Sequence, residues 1–160
     1  MMRFHRSGQR GISFIEMLVA LAVLSILASA AIPMVQWDDK RRREKKLRTH
    51  LEQMRQAIDS FKAYSEAGMI VMDDVDQLGY PADLESLVEG VAVGNSNSPF
   101  SETIKFLSRI PVDPFTGEAE WGLRSYQDDF DSDSWGRENV FDVYSLSESQ
   151  ALDETWYMDW

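Results

Sequence analysis

From Ile12 to Val35 the chain carries a single ionisable side chain, Glu16, set five residues into an otherwise uncharged apolar run. A helix of that length rises far enough to cross roughly 30 Å of hydrocarbon, so the run predicts a membrane-spanning helix. A carboxylate inside such a span costs about 2.5 to 3.5 kcal/mol on insertion scales and is retained where it has a partner and a task. Glu16 therefore needs a cation.

The residues before the run are short and polar, with Arg3, Arg6 and Arg10 and no acid, which is the basic start of an exported chain. Ala28-Ser29-Ala30 offers an ordinary signal-peptidase site behind the apolar stretch; the alternative is a cut at Gly11 that retains the stretch.

Gly11 followed by Ile12-Ser13-Phe14-Ile15-Glu16-Met17-Leu18-Val19-Ala20-Leu21, with Ile32-Pro33 further on, resembles the type IV prepilin signature of pilins and type II secretion pseudopilins. The resemblance implies that a prepilin peptidase cuts between Gly11 and Ile12 and methylates the new N-terminus at Ile12. It further implies that Glu16 is the assembly glutamate and Pro33 the helix-bending proline. Ile12 stands where phenylalanine is commoner and Ser25 where many members have glycine. The implied chemistry is sensible, because the cut creates an α-amino group that is a cation at neutral pH. Stacked in stagger, one subunit's amine reaches a neighbour's Glu16, and two lone charges leave the lipid together. Glu16 snorkelling to the interface is the competing reading.

Charge is unevenly spread. Between Asp38 and Lys62 lie nine basic and five acidic residues, opening with Lys40-Arg41-Arg42-Arg43, whereas 63–160 holds four basic against twenty-one acidic. Losing the three leader arginines makes the balance more negative still than the formal -11. Phosphate repulsion disfavours nucleic-acid binding by this head, except through the basic collar that opens at Lys40. Counting cations at the span ends would put the Lys40 side in the cytoplasm, opposite to the prepilin orientation. The leader arginines act before that cluster emerges, and Asp38, Asp39 and Glu44 dilute it. The collar is expected to meet lipid phosphates or the acidic heads of neighbours.

Leu47, Leu51, Met54, Ile58 and Phe61 recur at four- and three-residue spacing, one apolar stripe on a helix that packs on the chain's own sheet. One helix from Ile12 to about Tyr64 is thus half anchor and half core, kinked by Pro33 near Ser29 and stopped by Gly68. A short helix is predicted over Tyr80–Gly90, and loop over Gly94–Pro99. Strands are predicted at Trp121–Tyr126 and Asn139–Ser145, around the turn-rich Asp128–Ser134. The fold class is α+β: a long N-terminal helix on a small C-terminal antiparallel sheet. Its parts are a leader 1–11, a polymerising span 12–35, an amphipathic helix 36–64 and a head 65–160. There is no cysteine, so no disulfide or thiolate site is available.

A second resemblance, carried by Arg109-Ile110-Pro111-Val112-Asp113-Pro114 and Phe141-Asp142-Val143-Tyr144-Ser145-Leu146, is to the type II secretion major pseudopilin. It implies a homopolymeric periplasmic filament anchored in the bacterial inner membrane, N-terminus cytoplasmic and head periplasmic. Its implied partners are other pseudopilins, the secretion machine's assembly platform and membrane lipid. It also implies calcium in the loop after the last strand, with Leu146, Ser149 and Asp153 as ligands. Calcium takes six to eight oxygens, so loop carbonyls would supply the rest. Asp129, Asp131 and Asp133 alternate like half an EF-hand but lack the acid at the twelfth position. Other functions weighed are a type IV pilin for adhesion, motility or DNA uptake, and a membrane-anchored binding protein that never polymerises. Catalysis has the least support: His5 leaves with the leader, His50 lies on the charged part of the stem helix, and the sequence has no cysteine, phosphate-cradling glycine loop or metal-ligand pair of histidines. Trp156, Tyr157 and Trp160 are expected to tuck against the sheet.

Overall fold

In the computed structural model the stripe forms as its spacing predicts: Leu47, Leu51, Met54, Ile58 and Phe61 are all buried on one face of helix α1, Phe14–Glu66. The structure describes residues 13–72, 74–94, 102–129, 132 and 134–160, apart from the side chains of 29–35. Two compact units divide the chain, residues 1–40 and 41–160, and α1 contributes to both. Helix assignment runs through Pro33 without a break.

In the second unit α1 ends where sequence predicts. Gly68 takes φ +68°, its N–H bonds to Ser65 O at 2.9 Å, and the Met69 N–H reaches back to Tyr64 O at 3.0 Å. These two bonds satisfy last-turn carbonyls that a straight helix end would leave open, and the left-handed residue they require is glycine. A short helix α2, Leu84–Glu89, follows. It is shorter than predicted because Asp83, rather than Pro81, begins it: the Asp83 carboxylate accepts the Ser86 N–H at 2.8 Å. Leu84 and Leu87 then face the core.

Two antiparallel pairs complete the unit. Strand β1, Val91–Val93, pairs with β2, Glu102–Ile104, and β3, Gly122–Arg124, pairs with β4, Asp142–Tyr144. The first hairpin was not predicted from sequence. The second falls within the predicted strands but is shorter than they are. Its ladder stops because side chains take over the backbone. The Ser125 N–H goes to Asp128 Oδ2 at 2.7 Å, the Tyr126 N–H to Asn139 Oδ1 at 3.0 Å, and the Ser125 hydroxyl to Asn139 O at 3.0 Å.

The core between α1, α2 and these strands joins the stripe to Trp121, Val140, Val143 and Tyr157. Phe106 meets Phe61 and Tyr64 edge-on at 5.5 and 5.4 Å. The tail aromatics divide: Tyr157 is fully buried and stacks on Phe115 at 4.0 Å, while Trp156 stays 44% exposed. Gly90, between α2 and β1, has φ +92°, and a Cβ there would stand 2.9 Å from the Ile104 carbonyl. Gly90→Ala is therefore expected to destabilise the unit by about 1 to 2 kcal/mol in urea unfolding, through strained backbone and a weakened β1–β2 pair.

Candidate functional site

Glu16 lies in the first turn of α1, an end that favours negative charge through the helix dipole. Every residue from Ser13 to Ala28 is exposed, the large apolar ones between 46% for Leu18 and 78% for Phe14. A helix apolar on all sides is stable when surrounded by apolar matter, either a bilayer or other helices. The one hydroxyl well inside this stretch is satisfied internally, Ser25 Oγ donating to Leu21 O at 2.8 Å, so serine leaves no open donor where glycine is commoner. Among the described residues no cation reaches Glu16. None of their helices is long and apolar enough to cross a membrane. The described apolar side chains run from Phe14 to Ala28, and the rest of the expected span lies in 29–35. Gly11 and Ile12 lie outside the described residues, as does any description of the Pro33 side chain.

Trp37, 70% exposed just beyond the apolar run, was overlooked in the sequence. Tryptophan is enriched at the headgroup level of membranes, and its place between Val35 and the Lys40 cluster is the signal that could have found it.

Residues 6–32 match the family model for the prokaryotic N-terminal methylation motif. The chain carries a type IV prepilin-like N-terminus. This motif marks structural, filament-forming proteins that a prepilin peptidase processes and that are held at a membrane. Glu16 and the exposed helical face around it both lie inside the matched segment. No curated protein and no solved structure matches the chain.

The second candidate region is the C-terminal loop. Leu146 and Ser149 are exposed, and Ser149 O accepts the Tyr157 N–H at 3.2 Å. Asp153 Oδ1 accepts the Thr155 hydroxyl at 2.6 Å and its N–H at 3.2 Å, and Oδ2 faces the Arg48 guanidinium at 3.6 Å. A calcium ion at Asp153 would share this carboxylate with the Thr155 donors and meet the Arg48 guanidinium beside it. Asp131 and Asp133 lie outside the described residues, and the neighbouring Asp128 spends its carboxylate on the Ser125 and Gly136 N–H groups.

Sequence reading missed what α1 does here. Glu44 Oε1 accepts the Leu152 N–H at 2.7 Å and the Tyr157 hydroxyl at 3.0 Å. Arg48 lies over the Trp160 ring at 3.9 Å. Arg55 donates to Asp142 Oδ1 at 2.6 Å, Val143 O at 3.0 Å and Trp160 O at 2.9 Å. Their spacing of four and seven places them along one side of the helix, which is the signal a charge pattern could have supplied. Burial and then the Glu44 carboxylate push the Tyr157 phenol far above its usual range.

The Thr155 hydroxyl and N–H, aided by Arg48, hold the Asp153 carboxyl below its ordinary 3.8. A depressed acid contributes fully above its unfolded value and is lost as pH falls through the folded one. The Thr155 amide resonance is thus expected to titrate with a midpoint below 3.8. In Arg48→Ala that midpoint should move upward, and Thr155 should exchange its amide proton faster while Val143 in the core does not.

Proposed function

We propose that this chain is a structural subunit of a type II secretion pseudopilus, polymerising through its N-terminal helix to drive folded proteins across the outer membrane. The observation that carries the polymer is Glu16, a carboxylate without a cation among the described residues, on a helix apolar all round and inside a prepilin-type motif. Cutting after Gly11 supplies the missing cation as the amine of Ile12 on an adjoining copy. The span 12–35 anchors the subunit in the inner membrane, with residues 65–160 on the periplasmic side.

The pseudopilus is preferred to a type IV pilus on the two segments of the second resemblance. In the fold they are tied to each other, since the Ser145 hydroxyl donates to Asp113 Oδ2 at 2.5 Å. Calcium at Leu146, Ser149 and Asp153 stays outside this proposal while Arg48 holds Asp153. Partners follow from the reading: further copies, a prepilin peptidase, minor pseudopilins and an inner-membrane platform.

Mass analysis of the mature protein tests the processing step, with a methylated chain starting at Ile12 expected and any other start overturning it. Deleting the gene then tests the destination. Loss of protein export with intact surface fibres and motility supports the pseudopilus, and the reverse phenotype assigns a type IV pilus.

A further inference from the structure

A groove of about 680 Å³ runs along α1 where the buried stripe gives way to its neighbour, bounded on the far side by residues 106–112. Its helix wall carries Lys46, His50, Gln53 and Ser60, and its other wall includes Arg109. No carboxylate lines it. Neither Lys46 nor Arg109 forms an ion pair among the described residues. His50 Nδ1 donates to Val112 O at 3.0 Å, which fixes the ring in the wall. Burial holds His50 below its ordinary 6.5, and Lys46 and Arg109 push the same way against the Val112 carbonyl and Asp113. The groove is therefore a cationic slot in a unit whose residues 63–160 hold twenty-one acids and four bases.

We propose that this groove receives the acidic Thr116–Glu120 loop of a second copy of the chain. The loop has the matching chemistry. All five of its residues are exposed, and Glu118 and Glu120 flank the small Ala119. Neither carboxylate has a partner among the described residues. Nothing lies within 4 Å of where a Cβ on Gly117 would stand, so the tip is unobstructed. The loop's base is held by the Asp113 N–H to Glu118 O at 2.8 Å and the Gly117 N–H to Asp113 O at 2.9 Å. Charge complementarity of this kind fixes register and speeds encounter, and exposed pairs weaken as salt rises. Contact through two different patches is heterologous, and it propagates instead of closing a dimer. The proposal rests on the polymerising reading above.

The absence of cysteine makes the test direct. Full-length Ser108→Cys and Ala119→Cys chains, with different tags, are co-expressed in membranes and oxidised, beside a Leu18→Cys chain that reports helix-to-helix contact. A disulfide joining the two tags is expected. It should vanish when the Ser108→Cys chain also carries Lys46→Glu and Arg109→Glu, and return when the Ala119→Cys chain carries Glu118→Lys and Glu120→Lys. A Leu18 disulfide without the mixed-tag one overturns the groove proposal alone. A mixed-tag product indifferent to charge reversal overturns it as well. Absence of the Leu18 disulfide overturns polymerisation, and the groove proposal with it.

Discussion

With Glu16 replaced by alanine, the full-length chain is expected to insert into membranes more readily than the wild type and to fail to form filaments. Removing a charge from the span relieves roughly 2.5 to 3.5 kcal/mol in the isolated subunit. On the proposed pairing, the same change leaves the Ile12 amine of each neighbour unpaired among apolar helices. Breaking a buried pair from one side costs roughly 3 to 5 kcal/mol, which weakens each contact by a hundredfold or more. The opposite signs separate this account from snorkelling, in which Glu16 reaches water alone and its loss leaves assembly unchanged. Filament yield by electron microscopy and the Leu18→Cys disulfide read assembly, while carbonate-resistant membrane protein reads insertion. Glu16→Gln keeps the shape without the charge and should assemble as poorly as alanine.

Asp113→Ala is expected to lower the stability of residues 41–160 by about 3 kcal/mol. Asp113 is fully buried and serves several donors: the Ser145 hydroxyl at 2.5 Å, the Phe115 N–H at 2.7 Å and, more weakly, the Thr116 N–H at 3.4 Å. Alanine leaves the first two without an acceptor in a place water does not reach, and each open group costs about 1 to 3 kcal/mol. For a unit of this size the loss is about 10 °C in melting temperature. Asp113→Asn retains an acceptor for Phe115 and should lose less than half as much. Equal losses for the two variants would mean that shape and a single acceptor are not enough and that the site needs both carboxylate oxygens.

The parts of the fold that could be read from sequence are those governed by period and punctuation. Leu47 to Phe61 declared a helix face through spacing alone, and Gly68 declared its end through a conformation other residues resist. Glu16 stood out as the one charge in an apolar run, and the family model matches the segment that holds it. What stayed hidden depends on partners far along the chain. Strands β1 and β2 are three residues each, too short for alternation to register, and Val91-Ala92-Val93 reads equally well as the end of a helix. The shortening of β3 and β4 depends on Asp128 and Asn139 diverting N–H groups, a choice visible only once the turn has folded. At Asp153 calcium was expected from the pseudopilin resemblance alone; that Arg48 from α1 faces this carboxylate could not be inferred from local spacing.

The bonds from Glu44 to Tyr157 and from Arg55 to Trp160 join residues 113 and 105 positions apart. Contacts so remote carry a heavy loop-closure cost, and chains that depend on them mature slowly. The amphipathic half of α1 emerges from the ribosome early, then waits for nearly the whole remaining translation before its polar grips exist. A segment without those grips over that interval stays pliable, and it sets firm only once Tyr157 and Trp160 have been made.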